Sequence, residues 1–375
     1  MTKLLIIAND ESTLLNFRLE ILKHFADSGY QVIACYPLGE NTEKLLATGC
    51  QVEHLSVSRR GKNVLQDLKM MLNCCKLIKK HQPQAVLTYT VKPNIYASFA
   101  CMLTKTPYIN NVTGLGSALT GGGVLARLIL LLQQLAYKKS SCVFFQNEAN
   151  QQALMEKGVI SAKTPTRLLP GSGVNLSMQK LEDFPEDDAI VRFVMVSRIR
   201  EDKGFGEYFE AAQKLKNANT EFHVVGGCEE ESWMDRLQQL QECGVIIYHG
   251  KKTQQEVHQI VAQCQCLVHP SYHEGMANVL LEAAATGRPV VATDIPGCRE
   301  TFDEGITGFG CQVKNGDSLV AAIQKMLDTP YETRKKMGLM GRQKMEQQFD
   351  RKIVAKIYTE EIEKIMQQKE TLANV

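Results

Sequence analysis

The sequence predicts an α/β protein in which two parallel sheets are each covered by helices. Strand-like apolar runs alternate with helical patterns along most of the chain, and this alternation is typical of parallel sheets. It is interrupted over residues 164–188, where prolines, glycines and acidic residues are concentrated, so we predict a linker there. The 375 residues suffice for two domains, which we place at 1–180 and 181–347, with 348–375 as a C-terminal segment.

The first half of the chain begins with an apolar strand. The run from Leu4 to Ala8 stops at Asn9, which is too short for the apolar part of a secretory signal. No stretch reaches the roughly 20 apolar residues of a membrane span, so we expect a cytoplasmic protein that is not integral to the membrane. The first helix is predicted from Leu14 to Phe25. Strands are predicted near residues 3–8, 30–35, 85–89, 108–112 and 142–146.

In the second half, the apolar strand Phe193–Val196 leads into two cations, Arg198 and Lys203. Ligands of open α/β sheets bind beyond the carboxyl ends of the strands. Arg198 as a bidentate fork and Lys203 as a point charge could therefore neutralise a diphosphate there. The alternative is a surface salt-bridge cluster with Glu201 and Asp202.

A second strand, Cys266–Pro270, is followed by a turn and a helix that carry Glu274 and Glu282. The free amides of such a helix N-terminus favour an anion. The rise of the helix separates the two carboxylates by roughly 8–12 Å, which leaves room for a diphosphate between two polyol groups. This pattern predicts a nucleotide-sugar site, although two such glutamates are also compatible with a solvated helix face.

Four motifs in this half resemble the retaining glycosyltransferases of family 4, and the resemblance extends over nearly the whole chain. The motifs are Ser197-Arg198-x4-Lys203-Gly204, Phe222–Gly227, Pro270-Ser271-x2-Glu274-Gly275-x6-Glu282-Ala283 and Gly287–Thr293. The resemblance implies the GT-B fold, in which two Rossmann-like parallel-sheet domains face each other across a cleft. It also implies an N-terminal domain that binds the acceptor, a C-terminal domain that binds the nucleotide-sugar, and a C-terminal helix that crosses back onto the first domain.

The family's site residues transfer onto matching positions of this sequence. By resemblance, Glu274 contacts hydroxyls of the donor sugar, Glu282 contacts the ribose, and Arg198 and Lys203 bind the departing diphosphate. The turn near residues 250–251 is where the family places the base. Backbone amides that would contact the sugar and phosphate belong to Gly275, Met276, Ala277, Asn278 and Val279.

The first domain has polar loops at the ends of its predicted third and fourth strands. Lys92 and Asn94 follow one strand, and Thr113 and Gly114 follow the other, so we predict that they line the acceptor side of the cleft. Many family members have a histidine here that contacts the donor sugar, and this chain has none. The Gly-Leu-Gly-Ser element at residues 114–117 instead resembles the subset that builds bacterial capsules, O-antigens and lipid-linked glycans, such as undecaprenyl-diphosphate-sugar N-acetylgalactosaminyltransferases. A glycine-rich flexible loop is the alternative.

Two predicted helices are candidates for contact with an anionic membrane surface. Lys62, Lys69 and Lys76 recur every seven residues and share one helix face, opposite apolar residues, which makes a basic amphipathic helix. The alternative is a helix packed on the core with a solvated basic face. The helix predicted over Val124–Tyr137 is apolar nearly all round and is the second candidate.

The composition argues against nucleic-acid binding and against a metal or cofactor. The net charge is only +2, so no overall field attracts nucleic acid. The 12 cysteines form no C-x-x-C pairs, which is typical of buried thiols in a reducing compartment; metal ligation by Cys264 and Cys266 is the weaker alternative. There is no Asp-x-Asp sequence of the kind that clamps a nucleotide-sugar through a metal, so we expect no metal and no cofactor.

Together these features predict a metal-independent retaining glycosyltransferase. The donor is expected to be a UDP-sugar, with N-acetylgalactosamine or a related acetamido sugar, and the acceptor an undecaprenyl-diphosphate-linked sugar at the inner face of the membrane. Two alternatives stay open: a UDP-sugar 2-epimerase of the same fold, and a non-catalytic sugar-nucleotide-binding subunit of a polysaccharide assembly complex. A dehydrogenase is disfavoured because residues 9–12 after the first strand contain no Gly-x-Gly-x-x-Gly.

Overall fold

The computed structural model describes residues 2–57, 64–115 and 123–373. The chain divides into two compact units. Unit 1 comprises residues 1–173 and 351–375, and unit 2 comprises residues 174–350. Each unit contains one sheet in which every strand pair is parallel, so the predicted α/β class with two parallel sheets is confirmed.

Unit 1 contains a seven-stranded sheet in the order β3-β2-β1-β4-β5-β6-β7. Its strands are β1 Lys3–Ile7, β2 Gln31–Tyr36, β3 Gln51–His54, β4 Ala85–Tyr89, β5 Tyr108–Val112, β6 Cys142–Phe145 and β7 Thr166–Leu168. Its described helices are α1 Glu11–Phe17, α2 Leu19–Asp27, α3 Thr42–Leu46, α4 Val64–His81, α5 Val91–Thr104, α6 Val124–Tyr137, α7 Glu148–Glu156 and, from the C-terminus, α14 Arg351–Ala373.

Unit 2 contains a six-stranded sheet in the order β10-β9-β8-β11-β12-β13. Its strands are β8 Val191–Val196, β9 Thr220–Val225, β10 Ile247–Tyr248, β11 Cys266–His269, β12 Val290–Thr293 and β13 Gly308–Cys311. Its helices are α8 Phe205–Leu215, α9 Glu231–Glu242, α10 Gln254–Ala262, α11 Asn278–Ala285, α12 Gly316–Asp328 and α13 Tyr331–Lys344. Short helical turns cover Glu201–Lys203, Arg299–Thr301 and Met345–Phe349.

The first predicted helix is wrong as a single element, because it is interrupted at Arg18. The backbone there has φ −132° and ψ −6°, which separates α1 from α2. The Arg18 side chain is almost fully buried. Its guanidinium donates to the Phe17 carbonyl at 2.9 Å and lies 4.8 Å from the centre of the Tyr89 ring. This inward cation–π contact accompanies the irregular backbone. The periodicity of the sequence does not predict the break in the helix.

The domain boundaries differ from the prediction by a few residues. The N–H of Val174 donates to the Phe349 carbonyl at 2.8 Å, and Val174 forms a parallel bridge with Asp350. This pairing places residues 174–180 with unit 2, so the boundary after residue 180 is too late. The predicted linker at 164–188 also contains strand β7. The last predicted segment, 348–375, is divided after Asp350.

The helix α14 belongs to the core of unit 1. Val354, Tyr358, Ile362 and Ile365 recur every three or four residues and are buried in the same cluster as the inward residues of β1, β2 and β4. The Tyr358 hydroxyl also donates to the amide oxygen of Asn111. Unit 1 is therefore completed by the C-terminal end of the chain.

The lysine pattern of helix α4 suggests that its leucines lie on the opposite, buried face. The structure buries a different face. Asp67, Met70, Cys74, Leu77 and Ile78 point inward, whereas its leucines at 65, 68 and 72 are 76%, 47% and 51% exposed. Lys62, together with Arg59 and Arg60, lies outside the described residues. Within the part of the chain that is described, no helix combines the length and the apolar character needed to cross a bilayer.

Candidate functional site

The centre of the candidate site is the carboxylate of Glu274. Its Oε1 atom accepts from the Lys203 ammonium at 2.6 Å and from Nε2 of His269 at 3.0 Å. All three side chains are largely buried, with exposures of 15%, 18% and 3% for Glu274, Lys203 and His269. The structure thus brings two predicted site residues, Glu274 and Lys203, into a direct contact that the sequence did not predict.

The surroundings of Glu274 keep it ionised. Burial acts to raise the pKa of the Glu274 carboxyl, but the hydrogen bond and charge of His269 and the charge of Lys203 outweigh it, and the pKa falls to about 2. An ionised carboxylate only accepts hydrogen bonds. Glu274 is therefore suited to bind a ligand rich in hydroxyl donors.

Sheet topology explains why Lys203 and Glu274 meet. Strands β8 and β11 are parallel neighbours, so the segments that follow them leave the sheet at the same edge. The Tyr272 N–H donates to the Asp202 carbonyl at 3.0 Å, which joins the two segments. Gly204 has φ +78°, and a Cβ there would lie 2.1 Å from the Pro270 carbonyl oxygen. Only glycine fits this approach without a shift of the backbone.

His269 is a site residue for which sequence reasoning predicted no such role. It is the last residue of β11 and only 3% exposed, and its Nδ1 atom is buried without a hydrogen-bond partner among the described residues. The contact through Nε2 fixes the orientation of the Glu274 carboxylate. The available signal was a histidine at the end of an apolar strand, five residues before the glutamate.

The helix after Glu274 begins as the sequence predicts, with uncapped amides. Helix α11 starts at Asn278, and its N-cap Ala277 makes no side-chain capping bond. The Ala277 N–H donates to the Gly297 carbonyl at 2.8 Å. Gly297 has φ +87°, and a Cβ on it would lie 2.7 Å from the Glu274 carbonyl oxygen. The first amides of α11 thus have no side-chain acceptor from the cap, which suits an anion.

The other predicted donor residues occupy the same segment. Met276 and Ala277 are buried, and Gly275, Asn278 and Val279 are partly exposed. The Oδ1 atom of Asn278 is buried and has no partner among the described residues. The five predicted amides therefore form one continuous stretch from the Glu274 loop into α11.

Glu282 lies in the second turn of α11, on a side that faces α10. It lines a small pocket together with Gln179, His258 and Thr286. The two ring nitrogens of His258 lie 2.7 Å from Gln179 Oε1 and 2.9 Å from Glu182 Oε1. Glu274 and Glu282 thus flank the start of the helix in different environments.

Arg198 differs from Lys203 in that it is exposed and forms no ion pair with any residue that the structure describes. It follows β8 directly, where the Ser197 N–H donates to the Val225 carbonyl at 3.0 Å. A Cβ on Gly226 would lie 1.7 Å from the Ser197 carbonyl oxygen, so the glycine motif after β9 permits this close approach. The Arg198 guanidinium is available to a ligand.

The predicted loop residues of unit 1 separate into two groups. Asn94, Thr113 and Gly114 line a common cavity. Lys92 instead forms an ion pair with Asp67 of α4 at 2.7 Å, and Tyr96 donates to the other oxygen of that carboxylate at 3.0 Å. The Lys92 charge is therefore already neutralised within unit 1. Residues 116–117 and 121–122 of the glycine-rich element lie outside the described residues.

Two family models match separate parts of the chain. The family model described as Glycosyl transferase 4-like matches residues 3–147, and the one described as Glycosyl transferases group 1 matches residues 179–344. Both models describe glycosyl transferases, and together they extend over most of the chain. The resemblance stated from its motifs is confirmed, and the protein is a glycosyltransferase.

Two named bacterial glycosyltransferases are similar to this chain over most of its length. N,N'-diacetylbacillosaminyl-diphospho-undecaprenol alpha-1,3-N-acetylgalactosaminyltransferase of Campylobacter jejuni is 28% identical over 333 residues, covering 84% of this chain and 87% of that protein. The capsular polysaccharide biosynthesis glycosyltransferase CapM of Staphylococcus aureus is 24% identical over 321 residues, covering 81% of this chain and 83% of that one.

Solved structures share the fold at low identity. A glycosyltransferase from Rickettsia africae has a TM-score of 0.82 and 18% identity, covering 97% of this chain and 99% of that one. The HepE protein of Anabaena, in complex with UDP and glucose, has a TM-score of 0.76 and 19% identity over the full length of both chains. The GT-B class of this glycosyltransferase is thereby confirmed.

Proposed function

We propose that this glycosyltransferase moves a sugar from a UDP-sugar to an undecaprenyl-diphosphate-linked sugar, with retained anomeric configuration and without a metal ion. N-acetylgalactosamine or a related acetamido sugar is the proposed donor group. The observation that carries the proposal is the contact of Lys203 with the ionised Glu274 at the carboxyl ends of β8 and β11. The Campylobacter jejuni relative, whose name includes this acceptor class and this sugar, supports it.

In this proposal Glu274 and Glu282 bind the two polyol groups of the donor. The carboxylate of Glu274 accepts hydrogen bonds from hydroxyls of the transferred sugar, and Glu282 accepts from the ribose. The amides of Gly275, Met276, Asn278 and Val279 contact the sugar and the phosphates between them, whereas the Ala277 N–H is already donated to the Gly297 carbonyl. Because Glu274 stays ionised down to very low pH, these bonds are charge-assisted at neutral pH.

The reaction places new negative charge on the leaving group. The bond between the anomeric carbon and the diphosphate oxygen breaks, and its electron pair remains on UDP. The acceptor hydroxyl oxygen bonds to that carbon, and its proton passes to the departing diphosphate. Lys203 and Arg198 stabilise the diphosphate. Lys203 is largely buried and fixed, so its charge needs no reorganisation, and Arg198 adds a second, exposed cation. Lys203 is already held in place by Glu274.

The metal-independent part of the proposal rests on these cations. Among residues 2–57, 64–115 and 123–373, no group of three or more His, Cys, Asp or Glu side chains is arranged to hold a metal ion. Arg198, Lys203 and the start of α11 supply the positive potential in our account. Activity in the presence of a chelator tests this directly.

We also propose that unit 1 meets an anionic membrane surface through α4 and α6. On α4 the exposed Leu65, Leu68 and Leu72 lie on one side with Lys69 and Lys76. On α6, residues Val124, Leu128, Leu131 and Leu135 form a second exposed apolar row. Leucines beside lysines suit an interface with anionic lipid, and each close lysine contributes about 1 kcal/mol. A lipid-linked acceptor would be presented at the same surface.

The test is nucleotide release from UDP-, GDP-, ADP- and dTDP-sugars in EDTA, with and without a membrane extract. We expect UDP release from one acetamido donor that increases when the extract is added. Conversion of the donor to its 2-epimer without an acceptor would establish the epimerase alternative instead. UDP binding without turnover of any donor would favour the non-catalytic subunit.

A further inference from the structure

A cavity in unit 1 lies at the carboxyl ends of β4 and β5. Its volume is about 220 Å³, small beside the roughly 300–1,000 Å³ of pockets for drug-sized ligands, so it suits a single sugar ring. Strands β4 and β5 are parallel neighbours, and open α/β sheets bind ligands at this end of their strands. The cavity is lined by Thr90, Val91, Asn94, Asn111, Val112, Thr113, Gly114, Gln133 and Tyr137.

The chemistry of this lining selects a neutral ligand. None of the nine residues carries a charge at neutral pH, and the nearby Lys92 is paired with Asp67. A diphosphate would find no cation to neutralise it. Amides and hydroxyls supply both donors and acceptors, while Val91 and Val112 add apolar surface. This combination fits a sugar with hydroxyls and an acetamido substituent, whose amide is polar and whose methyl is not.

Thr90 is the most informative residue of the lining. It has φ +73° and ψ 164°, which is rarely adopted by a β-branched residue and costs of order 1–3 kcal/mol. Its hydroxyl is buried and has no hydrogen-bond partner among the described residues. A buried hydroxyl without a partner is unfavourable, and a ligand hydroxyl or amide in the cavity would satisfy it.

Gln133 and Tyr137 of α6 form the opposite part of the lining. Both side chains are buried, and the Tyr137 hydroxyl accepts from Gln133 Nε2 and from Asn94 Nδ2, each at 3.4 Å. Both distances lie at the long end of the hydrogen-bond range. Gln133 can therefore exchange its long bond for a shorter one to a ligand, whereas Tyr137, which is 0% exposed, acts by positioning Gln133 and Asn94.

We propose that this cavity binds the terminal N-acetylated sugar of the acceptor, with Thr90 and Gln133 as residues that determine specificity and Tyr137 as a positioning residue. The diphosphate of the acceptor stays outside the cavity. The inference rests on the proposed function, since it assigns the acceptor sugar of that reaction to a defined place in unit 1.

The experiment measures binding of small probes by saturation-transfer NMR to the full-length protein. The probes are the methyl glycosides of N-acetylglucosamine, N-acetylgalactosamine and glucose, and inorganic pyrophosphate is titrated separately. We expect an N-acetylated glycoside to bind in the millimolar range and more tightly than methyl glucoside, and pyrophosphate not to compete with it. Loss of one hydrogen bond in Thr90→Val or Gln133→Leu should weaken binding about three- to tenfold.

Two controls separate a binding role from a structural one. Thr90→Ser keeps the hydroxyl and should retain binding, and Gln134→Leu changes the neighbouring glutamine, which is exposed on α6, and should have no effect. If Thr90→Val does not fold, the glycoside affinity of Gln133→Leu alone tests the role of the cavity. UDP affinity, measured in parallel, should be unchanged in every variant.

Three results would overturn the inference. One is no binding of any N-acetylated glycoside to the wild type. Another is unchanged glycoside affinity in Gln133→Leu. The third is loss of glycoside binding in Glu274→Ala but not in the cavity variants, which would assign the sugar to the donor site. Failure of the proposed function is distinguished by a separate measurement, since the wild type would then transfer no sugar from any UDP-sugar in the presence of the membrane extract.

Discussion

The buried carboxylate of Glu274 leads to a prediction about stability that can be worked out from the structure. Its pKa is lowered from the ordinary value of 4.5 to about 2, and each unit of pKa difference between folded and unfolded states corresponds to about 1.4 kcal/mol. Ionised Glu274 therefore stabilises unit 2 by about 3 kcal/mol at neutral pH. Glu274→Gln removes this charge and leaves Lys203 without its carboxylate, so we expect it to be destabilising by about that amount.

The pH dependence follows from the direction of the shift. Because the folded-state pKa of Glu274 is lowered, its contribution is fully present above the unfolded pKa near 4.5. It is lost as the pH falls from there toward 2. The difference in stability between wild type and Glu274→Gln should thus be constant from pH 7 to about pH 5 and shrink below that.

The assay uses the single tryptophan of the chain. Trp233 lies in α9 of unit 2, so its fluorescence reports urea unfolding of the unit that contains Glu274, separately from unit 1. Glu332→Gln alters an exposed carboxylate of the same unit and should change stability by less than about 0.5 kcal/mol. If Glu274→Gln is as stable as wild type at pH 7, or more stable, the described network around Glu274 is wrong.

Three further predictions concern other parts of the molecule. Glu282→Ala should weaken UDP binding measured by calorimetry, whereas Glu274→Ala should mainly lower turnover; equal UDP affinity in wild type and Glu282→Ala would refute the ribose assignment. Lys69→Glu with Lys76→Glu should reduce flotation with anionic vesicles but not change the weak flotation with zwitterionic ones, and unchanged flotation would return α4 to a solvated helix. Gly204→Ala should lower the urea midpoint of unit 2 clearly, because its Cβ would lie 2.1 Å from the Pro270 carbonyl oxygen; a midpoint equal to that of wild type would contradict the close approach.

The central strands, and the positions of Glu274 and Lys203 after two of them, could be predicted because both depend on local pattern. The ion pair between the two side chains was not predicted. Apolar runs identify β1, β2, β4, β5 and β6 to within a residue or two at each end. The motifs follow neighbouring parallel strands, so their side chains meet at one edge.

Edge strands were harder to predict. Strands β3 and β7 lie at the two ends of the unit 1 sheet, and neither has a fully buried residue. Short, polar sequences are usual at sheet edges, where they prevent further pairing. The sequences Gln-Val-Glu-His and Thr-Arg-Leu therefore lack the apolar signal of a strand.

Contacts between residues far apart in the chain could not be predicted from the sequence either. Arg18 interrupts a regular helical pattern to reach Tyr89, and Lys92 is paired with Asp67 rather than left for a ligand. The contact of His269 with Glu274 depends on how the chain turns after β11, and this cannot be inferred from the presence of a histidine alone. These features are set by tertiary packing.

The most direct test of the account compares two lysines that each form an ion pair at 2.7 Å or less. Lys203 pairs with Glu274 in the candidate site, and Lys214 pairs with the exposed Asp317 at the surface. The measurement is the rate of UDP release in EDTA from the preferred UDP-sugar and a membrane extract. We predict that Lys203→Met lowers turnover by roughly 10²–10³ while Lys214→Met leaves it unchanged. Equal rates for wild type and Lys203→Met, with the variant folded, would contradict the assignment of this site to glycosyl transfer.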